Sequence, residues 1–152
     1  MKFRRQKNLL LLFSIVHANF RYFEVYDKSG TMIDCWFGGG ADLTPYYLFE
    51  EDAKHFHRCF KNNCDKFEGD LYSKFKTQCD NYFVNHHRNG ERRGIGGIFY
   101  DYMKPSEKMT ANDLFDFAKS NGDAFIEAYF PIVERRKKLL FSNEQKHWPM
   151  IV

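Results

Sequence analysis

Three consecutive glycines at 38–40 constrain this chain more than any other segment. They are entered from Trp36 and Phe37 and left through Ala41 and Asp42 toward Thr44 and Pro45. Glycine loses more conformational freedom on folding than any other residue, so a run of three in ordered backbone needs a cause. Between an aromatic, strand-like stretch and a proline, the run asks for a bulge, or for backbone lying close against something bulky and flat. Glycines alone mark loops more often than sites. The run therefore takes its meaning from its surroundings.

Those surroundings are mixed in secondary structure. Residues 17–26 are rich in β-formers, Asp27-Lys28-Ser29-Gly30 carries turn chemistry, and 31–37 returns, which reads as a hairpin. Residues 50–67 read as a helix. Glu50, Glu51 and Asp52 complement its N-terminal dipole, and Phe56, Cys59, Phe60 and Cys64 recur at helical spacing. Residues 72–89 read as a second helix with Phe75, Cys79, Tyr82, Phe83 and His86 on one stripe. Residues 94–102 read as a glycine-bearing strand closed by Pro105. Thr110-x-x-Asp113 resembles a capping box and opens a helix through Leu114, Phe117 and Ala118. Gly122 and Pro131 are expected to break or kink the chain beyond them, up to the basic end at 135–138. The expected fold is α+β, one antiparallel sheet flanked by helices, and 152 residues supply one core.

The sharpest constellation is His17-x-Asn19-x-Arg21. On a strand, alternate residues share a face, so the three side chains project one way, while Ala18, Phe20, Tyr22 and Tyr26 take the other. Imidazole, amide and guanidinium supply a proton carrier, a two-way hydrogen-bonder and a bidentate carboxylate clamp. The plainer alternative is a solvated polar face of an antiparallel sheet. Asp42 either caps the turn before Thr44-Pro45 or offers a charged acceptor beside the glycines. Arg92 and Arg93 precede Gly94, Gly96 and Gly97. No helix follows this G-x-G-G, so it is no dinucleotide fingerprint, and the arginines either bind carboxylates or face solvent. His55 and His57, two apart on a helix, point to different sides and form no metal clip there.

Composition narrows the classes. Aromatic content of 18% suits a dense core or a cavity for a large planar ligand. The net charge of +3 forms no stripe for nucleic acid and is too small to steer a polyanion. Cys35, Cys59, Cys64 and Cys79 include no C-x-x-C pair, which points to reduced, mostly buried thiols rather than zinc. The basic, then apolar N-terminus lacks a small-residue cleavage site, and its apolar run at 9–16 is too short to span a membrane.

Four blocks now fall into order: HANFRYFE at 17–24, WFGGGADLTPYYL at 36–48, EDAKHFHR at 51–58 and ERRGIGGIFYD at 91–101. In wording, order and spacing they resemble the oxygen-dependent coproporphyrinogen III oxidases. The resemblance implies oxidative decarboxylation of two propionates of coproporphyrinogen III to vinyls, giving protoporphyrinogen IX with O2 as acceptor. It implies His17 as acid/base and Asp42 as catalytic, with Asn19, Phe20 and Arg21 contacting a porphyrinogen substrate. His87 and Arg93 are possible additions. It implies no organic cofactor, with a divalent metal on His17, His57 and His87 as the minority alternative. A homodimer is implied for full-length members, in the mitochondrial intermembrane space if animal-like and otherwise in the cytoplasm. Tyr102 stands where relatives usually carry a second aspartate, and Asn89 looks inserted relative to animal relatives.

The resemblance runs from 17 to 148 and covers the middle of the family's usual length. Residues 1–16 read as family-foreign or targeting-like, and 149–152 as an aberrant end. From this the chain alone is expected to be largely insoluble or molten and without oxidase activity. An inactive tetrapyrrole-binding fragment is the alternative function.

Overall fold

A computed structural model of the chain describes residues 15–45 and 47–137. The expectations for residues 1–14, for Lys138 and for 148–152 fall outside that range. Strand β1 (Ile15–Tyr26) starts two residues before the expected boundary and pairs antiparallel with β2 (Met32–Thr44). The turn between them is built as its sequence demands. Asp27 Oδ1 accepts from the amides of Ser29 and Thr31 at 2.8 and 2.9 Å, and Gly30 takes φ +83°.

Strand β2 does not end at the glycines. It runs through them and becomes the central strand of the sheet β1-β2-β5, with β5 (Gly96–Met103) antiparallel on its other side. A Cβ on Gly39 would stand 2.7 Å from the Asn19 carbonyl oxygen, and one on Gly40 would stand 2.7 Å from that of Ile98. The flat, bulky neighbours that require glycine are thus the two flanking strands. The expected bulge is present as a register shift between Phe37 and Gly39 against β5.

Helix α1 (Glu50–Cys64) starts where predicted and ends three residues short of the expected 67, with Phe56, Phe60 and Cys64 buried and Cys59 half-buried. Helix α2 (Leu71–Tyr82) is capped by Asp70 and stops seven residues short of the predicted end. Instead of continuing the helix, Val84–Asn85 forms strand β3, His86–Arg88 forms a 3-10 turn, and Glu91–Arg92 forms β4. His86 is therefore not part of a helical stripe. The break has a local cause: the Asn85 carboxamide accepts from the His87 amide, competing with helix, and Asn89 and Gly90 both take positive φ.

Helix α3 (Ala111–Arg136) opens on the complete Thr110–Asp113 capping box. It passes through both Gly122 and Pro131, contrary to the expected break. Pro131 has no N–H for the carbonyl of Glu127 four residues back. That carbonyl instead takes a hydrogen bond from His55 Nε2 on α1, at 3.0 Å. At its C-terminal end α3 is tied to the first turn of α1, where buried Asp52 accepts from Arg135 and from Arg136 Nε, the latter at 2.6 Å.

The helices cover one face of the sheet. Phe37, Ala41, Leu43, Ile98 and Tyr100 from the strands pack with Phe56, Phe60, Phe75, Leu114 and Phe117 from the helices. Tyr100 lies 5.1 and 5.3 Å, ring centre to ring centre, from Phe75 and Phe117. All four cysteines are free, and burial pushes the Cys64 and Cys79 thiols up to about 12. No described helix is long and apolar enough to cross a membrane.

Candidate active site

The strand alternation that buries one face of the sheet leaves the other lined with polar groups. His17, Asn19 and Arg21 project from β1 on that face, into a cleft of about 670 Å³. Phe20, between them, takes the opposite side and packs against the core, so the expected substrate-contacting set separates into three cleft residues and one core residue. Asp42 and Gly40 enter the cleft from β2, Phe99 and Asp101 from β5, Tyr82 and Phe83 from the end of α2, and Arg93 from the segment before β5.

Pairing of β1 with β2 sets the centre of the site, because His17 lies directly opposite Asp42. The imidazole Nδ1 is 3.4 Å from Asp42 Oδ2, and its other nitrogen, Nε2, is 3.0 Å from Asn19 Nδ2. Arg93 Nη2 donates to the second carboxylate oxygen, Oδ1, at 3.1 Å. Arg93 also lies 4.0 Å from the centre of the Phe83 ring, a cation–π contact that holds its plane. Asp42 is only 4% exposed. A buried carboxylate is tolerated when paired and hydrogen-bonded, and here each oxygen faces its own nitrogen partner. Asp42 sits inside β2 and does not cap the turn before Thr44 and Pro45.

His17 is different: its side chain is 57% exposed, so its ring is accessible to a ligand in the cleft. An imidazole and a charged acceptor side by side, with the Arg21 guanidinium two same-face positions along the strand, can move a proton and hold a carboxylate. The aromatic rings of Tyr82, Phe83 and Phe99 form one wall, with Tyr82 and Phe99 stacked at 5.0 Å. Phe23, Trp36 and Tyr102 stack in a row, with centres 5.3 and 6.1 Å apart. Tyr102 takes φ +52° beside the β5 bulge.

Two predicted residues are elsewhere. His57 sits between α2 and the start of β5, its Nε2 bonded to the Ile95 carbonyl at 2.9 Å and its Nδ1 to the Tyr72 hydroxyl at 3.0 Å. Both ring nitrogens are thereby engaged by the protein, and burial, with Lys76 nearby, lowers its pKa. His87 is exposed on the 3-10 turn, outside the cleft. The set His17, His57 and His87 therefore does not converge, and no three His, Cys, Asp or Glu residues are grouped to hold a metal ion among the described residues. Asp101, Phe99 and the Tyr82–Phe83 wall were not picked out from sequence as site residues. The alternation of β5, with Phe99 and Asp101 between inward Ile98 and Tyr100, carried the signal for the first two.

Comparison with known proteins gives the same direction. The family described as coproporphyrinogen III oxidase matches residues 12–151. The chain is 48% identical over 139 residues to the chloroplastic oxygen-dependent coproporphyrinogen-III oxidase of Glycine max, covering 90% of the chain and 35% of that protein. To the enzyme of the same name from Coxiella burnetii it is 47% identical over 135 residues, or 89% of the chain and 42% of the relative. To the mitochondrial enzyme of Homo sapiens it is 46% identical over 136 residues, or 90% and 29%. The chain thus spans about a third of the length of these curated relatives, whose names place them in chloroplasts and mitochondria or give no compartment. A match from residue 12 to residue 151, close to half identical in plant, bacterial and animal relatives, makes this chain a member of the coproporphyrinogen III oxidase family.

Proposed function

We propose that this chain carries the porphyrinogen-handling part of an oxygen-dependent coproporphyrinogen III oxidase. The observation that carries the reading is the opposition of His17 and Asp42 across β1 and β2, with Arg21 in the same cleft. The reaction converts two propionates to vinyls. For each, the side chain and one proton combine with O2 to give the vinyl, CO2 and H2O2.

A carboxylate has about four lone-pair positions, and Asp42 accepts a hydrogen bond from Arg93 at one oxygen and lies at ion-pair distance from His17 with the other. Its remaining positions accept N–H groups of the flexible porphyrinogen ring and stabilise positive charge that develops on the pyrroles. Arg21 grips a propionate through its guanidinium fork and orients it. His17 exchanges protons with the substrate at Nε2, the ring nitrogen turned away from Asp42. The Tyr82, Phe83 and Phe99 wall offers apolar area to the macrocycle.

No organic cofactor is required in this reading, and O2 is the co-substrate. The homodimer expected for full-length members belongs to the same proposal, as does a mitochondrial location in an animal-like lineage and a cytoplasmic one otherwise.

The test is an assay of the chain with flanking family sequence restored, using coproporphyrinogen III under air and under argon and reading porphyrins by fluorescence after oxidation. Protoporphyrin formed only in air, and insensitive to chelators, is the expected result. Porphyrinogen binding without turnover in air would replace the oxidase reading with that of a tetrapyrrole-binding segment.

A further inference from the structure

The Asn19 carboxamide is half used. Its Nδ2 faces His17 Nε2 at 3.0 Å, whereas its Oδ1 is buried without a hydrogen-bond partner. An orphaned buried acceptor costs free energy and asks for an explanation. Histidine supplies one. The Asp42 carboxylate, 3.4 Å from Nδ1, only accepts, so it favours a proton on that nitrogen. In neutral His17 the lone pair then lies on Nε2, and the group facing it must donate. The Asn19 amide does so with its NH2, in agreement with the observed geometry.

We propose that Asn19 is a positioning residue that, together with Asp42, holds neutral His17 as the Nδ1–H tautomer and follows its protonation by turning its amide over. A proton taken from bound substrate bonds to the Nε2 lone pair and leaves the ring an imidazolium. The Nε2–H then needs an acceptor, and a half-turn of the Asn19 amide brings the idle Oδ1 into place. The electron pair comes from the ring nitrogen, the charge appears next to Asp42, and reversal returns the proton. The contact between Asn19 and Nε2 is hydrogen-bonded in both states, with no change in the backbone. The other charged groups facing this corner are Arg93, which pairs with Asp42, and Arg21 and Asp101 along the cleft. None of them reaches Nε2 in place of Asn19.

The proposal deepens the proton-moving role given to His17 and so rests on that reading, but its readout needs no turnover. Long-range 1H–15N spectra of the protein labelled with 15N-histidine distinguish the two neutral tautomers, with His17 assigned from the signal lost in His17→Gln. The expected result at a pH where His17 is neutral is a majority of Nδ1–H. A majority of Nε2–H, the form preferred by free imidazole, would overturn the proposal.

Asn19→Asp keeps the shape but offers only acceptors to Nε2, so the imidazolium should persist to higher pH than in the parent. An unchanged His17 titration in a folded Asn19→Asp protein would equally overturn it. Asp42→Asn removes the bias on Nδ1 and should transfer population to Nε2–H, with retention of the parental tautomer counting against the assignment. An Nδ1–H majority in a protein without oxidase activity would leave this proposal standing and remove only the functional reading.

Discussion

A Cβ on Gly97 would stand 1.9 Å from the carbonyl oxygen of Ala41 on the adjacent strand. The two strands touch there backbone to backbone, one residue from Asp42. Gly97→Ala cannot be absorbed by turning a side chain and must separate β2 from β5. A loss of about 3 kcal/mol, the upper end of the usual overpacking range, is the minimum expected in urea unfolding. Gly122 is the control. Nothing lies within 4 Å of a Cβ added there, so Gly122→Ala should stabilise α3 by about 1 kcal/mol.

His55 and Pro131 should be coupled. In the parent, His55→Ala leaves the exposed Glu127 carbonyl to water in place of its donor, at a cost of about 0.5–1 kcal/mol. In Pro131→Ala the new backbone N–H can serve that carbonyl, and the same His55 substitution should then cost much less. A double-mutant cycle read by urea denaturation checks this, and additive effects would contradict the hydrogen-bond account.

His57 makes stability pH-dependent in a defined direction. Its folded-state pKa lies below the ordinary value of 6.5, because burial disfavours the charged ring. Below that value the unfolded chain takes up a proton that the folded chain refuses. The contribution is therefore complete above about pH 6.5 and is lost as pH falls through the window below it. His57→Gln should flatten this part of the curve of unfolding free energy against pH, measured by denaturation between pH 5 and about 8.

Arg21 and Asp42 should divide the kinetic parameters between them. A charge-assisted contact to a carboxylate is worth about 1.5–3 kcal/mol, so Arg21→Ala should raise KM by roughly ten- to hundredfold. Asp42→Ala should act chiefly on kcat, because the charge at the ring centre is lost. The same substitution also strands Arg93, so Asp42→Asn is the companion variant. Steady-state kinetics on both checks the division, and an unchanged kcat in Asp42→Ala would refute the role given to the carboxylate.

Much of the site could be read from sequence because strand alternation is local. The period of two in β1 placed His17, Asn19 and Arg21 on one face without reference to the rest of the chain. Counting back along both strands from the Asp27–Gly30 turn, starting at the Tyr26–Met32 pair, sets His17 opposite Ala41; the bulge between Val25 and Tyr26 moves the register by one residue and brings Asp42 opposite instead. The glycines obscure the course of β2 because their cause lies in the neighbouring strands. The continuity of helix α3 is hidden in sequence for a similar reason: the residue that compensates Pro131 is His55, on another helix. The end of helix α2 at Tyr82 is masked in sequence because the aromatic spacing through Phe83 fits a helix. The competing signal, an Asn85 side chain that bonds the His87 amide, is weak in sequence. The Phe20 assignment came from its neighbours in the motif, and its own position on the pleat sends it into the core.

Strand β1 serves two environments at once, with the cleft reading its odd positions and the helical layer reading the even positions Val16 and Phe20. Deleting or inserting one residue between Val16 and Phe20 would exchange the two sets, placing phenylalanine in the cleft and histidine among the core aromatics. Length variation should therefore be nearly forbidden inside this strand and tolerated in the exposed turn after Tyr26. In a collection of functional insertion and deletion variants, β1 would appear as a gap-free block ending at that turn.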